Sequence, residues 1–85
     1  MEPNSPPDLD RFILNLERQF DHPIPGGLQA DALFRDLAEW TSLQALVVIS
    51  SFDWDYGVNV SEAELGKART IAELFQLVTA KIQER

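Results

Sequence analysis

Three short patterns each mark the start of a helix, and together they leave little room for a fold that is not helical. Thr41 precedes Gln44 by three residues, Ser61 precedes Glu64, and Thr70 precedes Glu73. In each pair the hydroxyl can accept from the backbone N–H three residues on. The acid or amide can then reach back to the N–H of the cap. Such reciprocal pairs satisfy donors that a helix leaves without intrahelical partners. They predict helices over 42–56, 61–66 and 70–84.

A fourth helix precedes these three. Ser5-Pro6-Pro7-Asp8 suits a helix start, because proline is tolerated in a first turn and an acid there complements the helix dipole. Leu9, Phe12, Ile13, Leu16 and Phe20 follow at helical spacing, which predicts a helix over about 6–21. His22-Pro23-Ile24-Pro25-Gly26-Gly27 stops it, since residues before proline avoid helical geometry and glycines invite a turn. The connection over 22–41 is long for a compact domain and needs anchors, for which Leu28, Leu33, Phe34 and Leu37 are the candidates. Asp31 can start a short helical turn within it.

The segment 42–56 reads two ways. Leu46-Val47-Val48-Ile49 is a β-branched run, and Phe52, Trp54 and Tyr56 alternate after it as in a strand. The cap at Thr41 and an inner set of Ala45, Val48, Ile49, Phe52 and Tyr56 at a 3.6-residue period favour a helix, ended by Gly57. Val58 and Val60 then point inward from an extended link, and Gly66 closes the short helix after it. Ile71, Leu74, Phe75, Val78 and Ile82 give the last helix its apolar stripe. The expected fold is an all-α bundle of three main helices and one short one, in a single domain over 1–85.

Eighty-five residues with 14 acids against 7 bases carry a formal net charge of −7, which repels phosphate backbones and argues against nucleic acid as partner. Charge of that sign steers the chain toward basic protein surfaces. No cysteine is present, so there is neither a disulfide framework nor a thiolate metal site, in keeping with a cytoplasmic protein. The first residues have no basic segment followed by an apolar run, and no stretch is apolar enough to span a membrane.

In order and spacing the chain resembles the acyl carrier proteins. The resemblance rests on Phe34-Arg35-Asp36-Leu37-Ala38-Glu39-Trp40-Thr41-Ser42-Leu43, on Tyr56-Gly57-Val58-Asn59-Val60 and on Thr70-Ile71-Ala72-Glu73-Leu74, and it runs from about Asp8 to Ile82. It implies that Ser42 carries a 4′-phosphopantetheine arm, transferred from coenzyme A by a phosphopantetheinyl transferase. Acyl groups then ride on that arm as thioesters between acyl-activating or acyl-transferring enzymes, as in lipid or polyketide biosynthesis. The resemblance further implies a monomeric carrier that is not itself an enzyme. Two departures stand out. Thr41 occupies the place of an aspartate in the family, keeping the cap and losing the charge. The outer face of the second helix, usually rich in glutamates, offers Leu43, Leu46, Val47, Ser50 and Trp54 with Asp53 and Asp55 as its acids.

Each of these residues has a plainer reading. Ser42 is also an ordinary choice for a first helical turn. Trp40 reads as a core or loop anchor. Trp54 either faces outward as an interface residue, together with Leu43, Leu46 and Val47, or lies half-buried against Val58 or a neighbouring loop. His22 reads as a turn residue. Asp53 and Asp55, two apart, lie on different helix faces and form no acid–base pair. No phosphate loop, metal cluster or nucleophile with a base is visible, which speaks against an enzyme. The alternative to a carrier is an unmodified interaction module that binds a partner through the apolar outer face of the second helix.

Overall fold

The computed structural model describes residues 8–21, 24, 26–38 and 40–84, and among them the architecture is all-helical. Four α-helices follow in order: α1 (Leu9–Glu17), α2 (Ser42–Tyr56), α3 (Glu62–Lys67) and α4 (Ile71–Glu84). A single 3₁₀ turn, Phe34–Asp36, stands in the long connection between α1 and α2. No helix among the described residues is long and apolar enough to cross a membrane.

Aromatic packing organises the core. Phe12 of α1 meets Phe52 of α2 at 5.7 Å between ring centroids and the edge of Phe75 of α4 at 5.4 Å. Around them Val48, Ile71, Leu74 and Val78 are fully buried. Val58 and Val60 enter the same core from the link after α2, as their spacing predicts. The β-branched run 46–49 is helical. Its strand propensity is outweighed by the Thr41 cap and by Val48 and Phe52 reaching the core at helical spacing. Gly57, at φ 67°, ends α2 by sending its N–H to the Asp53 carbonyl at 2.9 Å.

Several local expectations need correction. The apolar stripe of the first helix continues to Phe20, yet α1 stops at Glu17. After Arg18 the backbone tightens, with Gln19 N–H reaching the Leu16 carbonyl and Phe20 N–H that of Glu17, and Phe20 is buried from this turn. The helix begins after Asp8, whose carboxylate accepts from the Arg11 N–H at 2.8 Å. Ser5, Pro6, Pro7, His22, Pro23 and Pro25, read as start and stop signals, lie outside the described residues.

Of the loop anchors, Leu28 and Phe34 are buried and Leu37 packs against the core, whereas Leu33 is half-exposed. Leu33 is held by its backbone instead, in an isolated antiparallel bridge with Thr70. The third cap also departs from its expected form. Thr70 Oγ1 accepts from the Glu73 N–H at 3.1 Å, but the Glu73 carboxylate turns to the Arg69 N–H at 2.7 Å rather than to that of Thr70. Only the pair Ser61 and Glu64 forms a complete reciprocal box. Gly66 does not end the short helix, since α3 continues through it to Lys67. The Arg35 guanidinium closes that end, donating from Nη2 to the carbonyls of Leu65 at 3.0 Å and Ala68 at 2.9 Å.

Candidate functional site

Ser42 is the first helical residue of α2, and the cap before it fixes it there. Thr41, extended at φ −130°, accepts on Oγ1 from the Gln44 N–H at 3.1 Å. Gln44 does not reach back to Thr41 as a capping box requires. Its side chain donates to the Gln19 carbonyl at 2.9 Å and ties the start of α2 to the turn after α1. Trp40 is wedged beside this start, with its ring 4.9 Å from that of buried Phe34 and 6.4 Å from that of Phe20. That confirms an anchoring role for Trp40.

On this support Ser42 is exposed. Among the described residues its hydroxyl makes no hydrogen bond, in contrast to Ser51, which donates to the Val48 carbonyl at 2.7 Å. No acceptor among them meets the backbone N–H groups of Ser42 and Leu43. A helix of 15 residues adds its dipole at this end, so an anionic ester on the hydroxyl would find free donors and a favourable field. The residues therefore fit a phosphodiester.

A cleft of about 210 Å³ opens at Ser42, between Ala45 and Leu46 of α2 and Glu62, Leu65 and Gly66 of α3, with Arg35 and Trp40 from the connection also lining it. Arg35 carries no local sequence signal. An arginine in a polar connection reads as solvated until the fold brings the end of α3 to it.

Away from Ser42, the outer face of α2 is apolar and uncovered. Leu43 is 71% exposed, Leu46 49%, Val47 37% and Trp54 90%, which decides between the two readings of Trp54 in favour of the outward one. Leu46, Val47, Ser50, Ser51 and Trp54 line a second, open groove together with Gln19. Asp53 and Asp55 are exposed on either side of Trp54 in sequence.

Two ionisable groups brace the frame. The Lys81 ammonium, 2.8 Å from Glu64, and the Ser61 N–H hold the Glu64 carboxyl down at about 2. Burial raises the Tyr56 hydroxyl above its usual 10, against the bond from Asn15, and nearby Asp55 raises it further.

No protein-family model matches the chain, and no curated protein matches its sequence. Among solved structures, the solution NMR structure of a holo acyl carrier protein from Geobacter metallireducens is similar, at 25% identity with a TM-score of 0.74. The match covers 89% of this chain and 86% of that one. The bundle described above is thus an acyl-carrier-like fold.

Proposed function

We propose that the protein is a carrier of acyl intermediates and that Ser42 is where a 4′-phosphopantetheine arm is attached. The observation that carries this reading is an exposed serine with a free hydroxyl at the capped start of α2, in a bundle similar to a holo acyl carrier protein. Ser42 supplies the hydroxyl that is esterified. Thr41 fixes the first turn, and the N–H groups of Ser42 and Leu43 favour the phosphate charge. When bound, the arm supplies a thiol on which acyl groups travel as thioesters. Its partners are then a phosphopantetheinyl transferase and enzymes that load or remove acyl groups, docking on Leu43, Leu46, Val47 and Trp54. Such a carrier leaves bond making to those partners.

The exposure of that apolar face also favours a second reading, an unmodified module that binds a partner protein through the same residues. One experiment separates the two. The chain is incubated with coenzyme A, magnesium and a broad-specificity transferase, and intact mass is compared with Ser42→Ala. A gain of one phosphopantetheine that disappears in Ser42→Ala is expected. No gain with any transferase tested favours the unmodified module, and a gain that survives the substitution moves the attachment point.

A further inference from the structure

α3 is only six residues long and contains Gly66, so it does not persist by its own propensity. Four contacts hold it. Leu65 is buried in the core, Ser61 and Glu64 cap its start, Glu64 pairs with Lys81 of α4, and Arg35 takes the carbonyls at its end. Arg35 alone among these reaches α3 from the connection that leads into Thr41 and Ser42.

The guanidinium suits that task. It is always charged, its donors have a fixed planar geometry, and it meets carbonyls at the negative end of α3, that of Leu65 being shared with the Ala68 N–H. A single nitrogen, Nη2, bridges both oxygens at 3.0 and 2.9 Å. The group also lies 5.5 Å over the ring of Phe34, which is itself fully buried and cannot yield. Arg35 and Ser42 line the same cleft, and its opposite wall is Glu62, Leu65 and Gly66 of the helix that Arg35 holds.

We propose that Arg35 is the positioning residue of the cleft at Ser42, tethering the end of α3 to the connection and thereby setting how far the cleft opens. Its relevance to cargo rests on the reading of Ser42 as the attachment point. A group borne at Ser42 would meet a wall that Arg35 ties to the connection leading into that serine.

Gly66 provides the means to separate a tether from simple helix stabilisation. A methyl group at this position would lie 3.9 Å from Arg35 Nη2, an ordinary contact. Gly66→Ala therefore strengthens the helical preference of α3 without displacing the guanidinium. The test uses the unmodified full chain with Trp54→Phe, which leaves Trp40, a lining residue of the cleft, as the only tryptophan. Amide hydrogen exchange is measured along the chain and acrylamide quenching is measured at Trp40, for Arg35→Met, for Arg35→Lys and for Arg35→Met combined with Gly66→Ala.

Arg35→Met should speed exchange at Leu65, Gly66 and Lys67 by about tenfold or more and raise the Trp40 quenching constant about twofold, with Leu16 and Val78 little changed. Adding Gly66→Ala should slow the α3 exchange again and leave the quenching high. Arg35→Lys should shift both readouts in the same directions by less, and it decides the matter if Arg35→Met does not fold. Unchanged α3 exchange, an equal rise in every helix, unchanged quenching, or recovery of both readouts on adding Gly66→Ala would each overturn the proposal. No arm or transferase enters the experiment, so its result is independent of whether Ser42 is modified.

Discussion

Asn15 Nδ2 donates to the Tyr56 hydroxyl at 3.0 Å and so joins the last turn of α1 to the last residue of α2, 41 positions later. The Tyr56 ring lies 6.1 Å from that of Phe12, in the same stack that organises the core. Tyr56→Phe keeps the stack and removes the bond, and it should cost about 1 kcal/mol in urea unfolding. A double-mutant cycle with Asn15→Ala isolates the pair. The raised hydroxyl pKa has a definite sign: the folded chain holds this proton more tightly than the unfolded chain. The contribution is therefore complete below pH 10 and fades as pH climbs through the folded value. Tyr56→Phe should lose that alkaline slope, as followed by unfolding at stepped pH.

Glu64 behaves in the opposite sense. Its carboxyl is held at about 2 against an ordinary 4.5, so the stabilisation it gives α3 is present above 4.5 and lost as pH falls through about 2. Carboxyl chemical shifts should place its titration well below the ordinary 4.5. Lys81→Met removes the principal cause and should return most of the shift. An unaltered titration in Lys81→Met would leave the Ser61 cap as the cause.

Trp54 and Phe52 are two residues apart on α2 and should respond to truncation in contrary ways. Phe52→Ala empties a fully buried site and should cost about 3–5 kcal/mol of stability. Trp54→Ala removes a side chain that is 90% exposed and should change stability by no more than about 0.5 kcal/mol. In a titration against an acyl-loading enzyme, the same Trp54→Ala should weaken binding by about 2 kcal/mol, and Asp53→Asn by less. Binding that tracks Asp53 and ionic strength instead would assign the contact to charge.

Thr41 can be tested as a cap and as a charge separately. Thr41→Ala loses the bond to the Gln44 N–H and should cost about 1 kcal/mol in thermal or urea unfolding. Thr41→Asp retains a capping oxygen and restores the charge that the acyl carrier proteins present at this place. Its stability should match the parent, and its rate of modification by a phosphopantetheinyl transferase should rise. Equal rates in the two chains would make the charge irrelevant to the proposed modification of Ser42.

How far these features were legible in the sequence depends on the range of the interaction involved. The caps at Thr41, Ser61 and Thr70 and the inner positions Val48 and Phe52 follow from residues three or four apart, and such spacings are visible in one dimension. Trp54 was ambiguous because its orientation depends on where α2 packs, and 90% exposure resolves it. The destinations of Gln44 and Arg35 were hidden. Each side chain abandons or lacks a local partner for a backbone group that folding brings near: the Gln19 carbonyl, and the carbonyls of Leu65 and Ala68. Gly66 misled for the same reason, since the stop it suggested is supplied by Arg35, 30 positions before Leu65.

The described residues of the connection between α1 and α2 have little regular structure, yet they are fastened to every helix. The Leu28 N–H donates to the Glu17 carboxylate at 3.0 Å, and the carbonyls of Ala30 and Ala32 accept from Ala72 at 2.8 Å and Ile71 at 3.2 Å, the first residues of α4. Arg35 grips α3, and Thr41 opens α2. For anyone re-engineering this chain, the usual advice to place new termini, fused domains or peptide tags in loops is therefore misleading here. An insertion between 28 and 37 would separate attachments that are spaced to the residue, and circular permutants opened there should fail to fold.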